Sequence, residues 1–335
     1  MVLSVGELGE RGVLGRVLAQ LDPADAAVLG PGDDCAVVRV RGDLVVTTDT
    51  MIEGPDFRAA WHSGFDLGWK LAATNLSDVA AMGAQPTALT LALAVPRDTP
   101  VSLLEEIARG MNAATRELAP GCGVVGGDLG TAPVITAAVT ALGEMAGQEP
   151  VTRAGARAGD TVAYAGELGL AGMGLSLLFA EAADPAGVAH SRTLPALRGT
   201  HPEILAAQLA PTPPIGLGVG AARAGATAMM DVSDSLSIDA DRLARASGVT
   251  LDLDTALLSE GFGVQRGVTV PVSAMLTGGE DHGLLATFPA AVALPSGFLP
   301  VGCVVAPSAE APLTLDGTAL TPSGWDPYVV RWPGA

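Results

Sequence analysis

The chain has 335 residues, 49% of them hydrophobic and only 16% charged, so most of it must be packed and there is room for two domains. Asp and Glu outnumber Lys and Arg by 36 to 18, a net charge of −18 that argues against a general nucleic-acid surface. Such a balance fits a solvated acidic exterior or carboxylates gathered around divalent cations. Cys35, Cys122 and Cys303 form no CxxC and the histidines no ligand pair, so neither a disulfide framework nor a zinc site is expected. With no 18-residue apolar run and no basic-then-apolar start in residues 1–7, the expectation is a cytoplasmic protein without a membrane span or signal peptide.

In chain order, residues 6–20 carry apolar positions at helical spacing and predict a short helix. Gly30, Pro31 and Gly32 tighten the backbone before Asp33 and Asp34, and an apolar strand follows. Adjacent acids on extended backbone point to opposite faces, so Asp33 is favoured as the ligand, with a plain Asp turn as the alternative. Leu44, Val45 and Val46 predict a short buried strand ending in Thr47, Thr48 and Asp49. An ionised Asp at the rim of a buried strand is costly unless a cation sits beside it, and hard oxygens suit Mg²⁺. A turn-capping Asp is the simpler alternative.

Residues 65–82 predict a helix closed by Gly83 and Pro86. Lys70, Thr74 and Asp78 form a stripe along it with Asn75 alongside, either a solvent face or a polar site. Residues 87–95 alternate as a strand with one richly apolar face. Thr99 and Pro100 predict the cap and first turn of a helix reaching about Leu118. Gly126 and Gly127 before Asp128 would let the backbone approach a phosphate or metal closely. Residues 134–145 predict another strand, and residues 147–150 an inter-domain connection.

The second half opens with a strand at 161–165 and a glycine-rich loop at 166–174 that matches neither a P-loop nor a dinucleotide fingerprint. Residues 184–200 show no clear period, whereas 201–209 and 216–224 predict helices. Residues 227–235 repeat the opening theme, a strand running into Asp231, Ser233 and Asp234 ahead of a helix at 236–246. A helix N-terminus there favours anions, although Ser233 or Asp234 could simply cap it. Gly278 and Gly279 lead to Glu280 and Asp281 before a strand at 284–288, and residues 313–320 predict a hairpin with an Asp-Gly turn. Trp325 and Tyr328 could stack on a flat ligand or cap the core.

Asp33, Asp49, Asp78, Asp128 and the pair Asp231 and Asp234 thus each sit at a strand end, a glycine turn or a helix stripe. The repetition predicts a carboxylate cage for several Mg²⁺ ions, and phosphoryl transfer is the chemistry such a cage serves.

Six segments carry a resemblance: GDDCAVV (32–38), TTDTMIEG (47–54), NLSDVAAMGAQP (75–86), GGD (126–128), DVSDSL (231–236) and GGED (278–281). In order and approximate spacing, over about residues 6–328, they resemble the thiamine-monophosphate kinases of the AIR-synthase-like ATP-binding superfamily. The resemblance implies a two-domain α+β subunit, residues 1–147 and 148–335, and a homodimer built through the N-terminal sheet, with an α/β C-terminal domain. It implies transfer of a phosphoryl group from ATP to thiamine monophosphate, giving thiamine diphosphate. By motif, Asp33, Thr47, Thr48, Asp49, Asp78, Asp128, Asp231 and Asp234 would hold Mg²⁺. Gly127, Asp128, Arg153 and Ser233 would contact ATP, and Asp56, Glu280 and Trp325 the thiamine moiety. Nucleic acid and membrane are not implied as partners.

The chain departs from the usual family pattern at four places: Asp56 stands for His, Leu129 for Thr, Ser235 for Gly, and His282-Gly283 for an aromatic-acid pair. The expected mechanism is in-line attack of the substrate phosphate on ATP without a phosphoenzyme. Alternatives are another enzyme of the superfamily or a non-catalytic regulator that kept the nucleotide and metal site. A selenophosphate synthetase would be expected to carry a reactive Cys before Cys35, and a maturation dehydratase a terminal Cys in place of Trp332-Pro333-Gly334-Ala335.

Overall fold

A four-stranded sheet takes the first half of the chain, in the order Leu44–Ile52, Thr136–Glu144, Gln85–Val95, Gly123–Thr131. The last pair is parallel and the other two antiparallel. In this computed structural model residues 3–308 and 311–324 are described. Helices Gly64–Ala81 and Val101–Leu118 cover one face, burying Leu71, Leu76, Leu104, Ile107 and Met111 against Leu89 and Val139. They pack at backbone contact: a Cβ on Gly68 would strike the Ile107 carbonyl, and one on Gly110 the Phe65 carbonyl. Glycine is required there by proximity rather than by dihedral angle.

The second half forms a seven-stranded sheet in the order Thr318–Ala319, Leu313–Leu315, Thr250–Leu253, Leu299–Val305, Asp160–Ala165, Gly283–Pro289, Ala228–Val232. All neighbours are antiparallel except Leu313–Leu315 with Thr250–Leu253. Its core joins Val162, Tyr164, Leu251 and Leu285 to Leu236, Leu243 and Phe262 from the flanking helices. Mixed helices and sheets thus bear out the α+β class.

Helix Gly64–Ala81 lies where the two halves meet. Ser63 and Asp66 close its start with a reciprocal capping box. Its Trp69 indole donates to the Pro211 carbonyl at 2.7 Å, and the Ala80 backbone presses on Gly218. Trp61, just before it, donates to the Ala182 carbonyl at 2.9 Å. The polar stripe of this helix is therefore buried: Lys70 is 1% exposed and Thr74, Asn75 and Ser77 are buried with it.

Several expectations change. Leu44, Val45 and Val46 do not form a buried strand; Leu44–Ile52 is the outer edge of its sheet, with Leu44 48% and Val46 56% exposed. Among the described residues only Thr136–Glu144 pairs with it. Thr99 does not cap the next helix: Pro100 holds the cap position without a side-chain bond and Val101 begins the helix. Gly126, Gly127 and Asp128 lie inside the strand Gly123–Thr131, where a Cβ on Gly127 would hit the Leu91 carbonyl; close approach serves strand pairing. The unassigned stretch holds helix Leu194–Thr200. The Asp-Gly hairpin is as expected, with positive φ at Asp316 and Gly317. Among the described residues no helix is long and apolar enough to cross a membrane.

Candidate active site

Strand alternation decides which acids can meet. On Leu44–Ile52, Thr47 and Asp49 share the face turned toward helix Gly64–Ala81, and the Thr47 hydroxyl donates to Asp78 Oδ2 at 2.9 Å. Thr48 points the other way, its hydroxyl donating to the Val139 carbonyl at 2.9 Å. From the second sheet, Ala228–Val232 brings Asp231 to the same helix, where the Ser77 hydroxyl lies 3.2 Å from Asp231 Oδ2. His282 Nδ1 sits 3.4 Å from that same oxygen.

The electrostatics record this convergence. Burial, together with the charges of Asp231 and Asp49, pushes the Asp78 carboxyl up to about 7, against the opposing pull of Thr47 and His282. Asp49, which stays open to solvent, is also raised, by desolvation and then by Asp231 and Asp234. Burial alone would lower the His282 imidazole, but its bond to Asp231 and the nearby Glu280 carry it above its ordinary value. Asp49, Asp78, Asp231 and Asp234 thus form one interacting set from three elements of both halves.

The loop after Ala228–Val232 is held by Asp239, whose Oδ2 accepts from the Ser233 and Asp234 amides at 3.1 and 3.0 Å. Burial leads the rise of the Asp239 carboxyl to about 6. Arg242 clamps both acids, reaching Asp234 at 2.5 Å and Asp239 at 2.8 Å. Neither Asp239 nor Arg242 stands out in the sequence, where they read as an ordinary pair on one face of a helix.

A cavity of about 720 Å³ opens beside this set, between Asp56, Arg58, helix Leu170–Glu181 and the turn at Gly278, Gly279 and Glu280. Lys70 reaches Glu280 at 3.0 Å from inside its helix and also donates to the Gln208 carbonyl at 3.1 Å. Gln208 bonds Glu280 too. Burial works against the Glu280 charge, yet Lys70 and Gln208 hold its carboxyl below the usual range. Asp56 accepts from the Ile52 amide at 2.8 Å and is raised, chiefly by burial. The Arg58 guanidinium stacks 4.9 Å from the Phe179 ring centre and 5.3 Å from that of Trp61. Of the GGED pair, Asp281 turns away to accept from the Gly169 and Ala171 amides at 2.6 and 2.9 Å, holding the start of helix Leu170–Glu181. The buried partnership of Lys70 with Glu280 spans 210 positions, so no local pattern signals it.

Asp33, Gly127 and Asp128 lie elsewhere, lining a second cavity of about 300 Å³ under the N-terminal helix, and both acids are exposed. Arg153 is exposed, with its carbonyl accepting from Ser247 at the far end of helix Leu236–Ser247. Trp325 falls outside the described residues. The structure therefore gathers Thr47, Asp49, Asp78, Asp231 and Asp234 in one place, puts Asp56 and Glu280 in the neighbouring cavity, and joins neither group to Asp33, Thr48, Asp128 or Arg153 by a described contact.

Known proteins resemble this chain in sequence and fold. A family model for "AIR synthase related protein, N-terminal domain" matches residues 32–145. The thiamine-monophosphate kinase of Mycobacterium tuberculosis is 36% identical over 329 residues, covering 96% of this chain and 92% of its own. Among solved structures, the thiamine-monophosphate kinase of Stenotrophomonas maltophilia K279a superposes with a TM-score of 0.74 at 31% identity, over 92% of this chain and 97% of that one. AaThiL, solved in complex with AMPPCP and TMP, gives a TM-score of 0.68 at 29% identity over 97% and 99%. With more than a third of its residues shared along nearly the full length of both sequences, this chain belongs to the thiamine-monophosphate kinase family.

Proposed function

We propose that the chain transfers the γ-phosphoryl group of ATP to the phosphate of thiamine monophosphate, giving thiamine diphosphate and ADP. The observation that carries this reading is the meeting of Asp49, Asp78, Asp231 and Asp234 beside a cavity rimmed by Asp56, Arg58 and Glu280. A phosphate oxygen of the substrate attacks the γ-phosphorus, and the bond from that phosphorus to the oxygen bridging to the β-phosphate breaks. The nucleophile is already anionic, so no side chain has to accept a proton in the step.

The donor set supports Mg²⁺. These are hard carboxylate and hydroxyl oxygens, and burial first, then the neighbouring carboxylates, raise Asp49 and Asp78. Among the described residues no three of His, Cys, Asp or Glu stand close enough to hold one ion by themselves, so waters and phosphate oxygens would have to complete its coordination. Thr47, Asp49, Asp78, Asp231 and Asp234 would hold it, with Asp33, Thr48 and Asp128 as further oxygens on the nucleotide side. Bound Mg²⁺ supplies charge neutralisation and alignment of the phosphates. Ser233, Gly127 and Arg153 would contact ATP. Glu280 and Asp56 offer negative charge to the thiazolium ring, Arg58 offers a guanidinium to phosphate oxygens, and Trp325 would complete the pocket.

The same reading includes a cytoplasmic homodimer paired through the exposed edge Leu44–Ile52, and two domains divided after residue 147. Purified protein with ATP, Mg²⁺ and thiamine monophosphate should yield thiamine diphosphate, read by chromatography. No product from folded protein that still binds ATP would favour a regulator instead.

A further inference from the structure

Three segments meet at the Gly324 side of the large cavity: the loop at residues 233–235, the turn at residues 278–282, and the strap that carries Ser323 and Gly324. The loop is bonded to the turn on one side, where the Ser233 carbonyl accepts from the Glu280 amide at 2.7 Å and the Val232 carbonyl from the His282 amide at 2.9 Å. On its other side it is bonded to the strap through two buried serines. The Ser235 hydroxyl donates to the Ser323 carbonyl at 2.8 Å and accepts from the Ile238 amide at 3.1 Å. The Ser237 hydroxyl donates to the same carbonyl at 2.9 Å and accepts from the Ser323 amide at 3.0 Å. Both backbone polar groups of Ser323 are thereby tied down.

The backbone of Ser235 makes this more than incidental. Its φ of 152° and ψ of 158° lie in a region that glycine occupies readily and other residues do not. A serine held there carries strain, and what it gains over glycine is a hydroxyl, which here is fully used. Gly324, the next residue of the strap, lines the large cavity, and a Cβ on it would collide with the Asp234 carbonyl and the Ser235 hydroxyl. The strap is thus seated as closely as backbone allows on the loop that carries Ser233 and Asp234.

We propose that Ser235 and Ser237 are positioning residues that clasp residues 323 and 324 to this loop and so set one wall of the thiamine pocket; the proposal rests on the function proposed above. Neither serine is bonded to Asp49, Asp78, Glu280 or Asp56, and Asp234, the residue before Ser235, is held separately by Arg242 and by its amide bond to Asp239, so loosening the clasp acts first on the pocket wall. The tests are Ser237→Ala, which removes both bonds of one serine, and Ser235→Gly, which removes the other hydroxyl while relieving the strained backbone. Losing such hydrogen bonds should raise KM for thiamine monophosphate about fivefold to tenfold. KM for ATP should stay within about twofold of the parent in the same enzymes.

Hydrogen exchange supplies the second readout: in Ser237→Ala the Ser323 amide loses its acceptor and should exchange on the order of tenfold faster, with protection in strand Ala228–Val232 unchanged. A generally destabilised protein would instead lose protection throughout and raise both KM values. An unchanged KM for thiamine monophosphate in both folded and active variants, or an unchanged Ser323 amide in Ser237→Ala, overturns the clasp. Failure of the parent protein to phosphorylate thiamine monophosphate overturns the underlying reading instead, and the two failures are told apart by assaying parent and variants together.

Discussion

Strands Leu44–Ile52 and Ala228–Val232 are built to the same plan and live in different surroundings. Each is the outermost strand of its sheet, each is apolar at its start, and each delivers acids to helix Gly64–Ala81. Ala228–Val232 is buried at every position, whereas Leu44–Ile52 leaves about half of Leu44 and Val46 in solvent. The difference lies in what covers them. Ala228–Val232 is overlaid by helices from both halves, while one side of Leu44–Ile52 has no neighbour among the described residues. Within the protein, Asp231 on Ala228–Val232 is met by His282 and Asp234 just beyond it by Arg242, whereas Asp49, inside Leu44–Ile52, keeps access to water. One strand is the rigid wall of the site, and the other is a wall and also a surface free to pair.

The largest effect expected from breaking this arrangement is on turnover. Asp231→Asn and Asp49→Asn should each lower kcat by on the order of 10²–10³, the scale of removing a group that stabilises developing charge. Circular dichroism should show both variants folded, and thiamine diphosphate formation would report the loss. Next comes packing, where the two strands should part company. Met230→Ala, in the buried strand, should cost about 2–5 kcal/mol in urea unfolding. Val46→Ala, on the exposed edge, should cost under about 1 kcal/mol in the monomer. For the proposed dimer paired through this edge, Val46→Lys should instead shift sedimentation toward monomer, since a charge on an open edge blocks strand pairing.

A smaller effect concerns pH. Asp78 and Asp281 are each raised to about 7, both first of all by burial, whereas an unfolded carboxyl titrates near about 4. The folded chain therefore binds more protons than the unfolded one between these values, so this stability is fully present below about pH 4 and is lost as pH rises through about 7. Glu280, held low, acts in the opposite sense, contributing stability that fades only as pH falls. Without Mg²⁺ the melting temperature should drop from pH 5 to pH 8, and Asp78→Asn should flatten that slope. A slope identical in parent and variant would remove Asp78 from the set. The smallest effect is expected at Arg242, half exposed in its clamp on Asp234 and Asp239. Arg242→Ala should cost roughly 0.2–1 kcal/mol in thermal unfolding.

Much of the local architecture was legible in the chain. The helix at 65–82, the strand at 87–95, the helix reaching Leu118 and the Asp-Gly hairpin all follow from periodicity, terminal glycines and turn chemistry, which act over a few neighbouring residues. The strands Thr250–Leu253 and Leu299–Val305 carried no such signal, being short and interrupted by Asp252 or Pro300. The motif order was enough to identify the family.

What residue order determined by itself was the type and approximate place of the strongly periodic helices and strands and the order of the motifs, because those depend on contacts along the backbone. Tertiary structure alone decided that Asp49, Asp78, Asp231 and Asp234 face one another, that Thr48 turns away from them, that Lys70 is buried against Glu280, and that the strand before Asp49 lies open at an edge. Each of those depends on a partner far along the chain, and desolvation is a property of everything packed around a group. No spacing in the sequence encodes that.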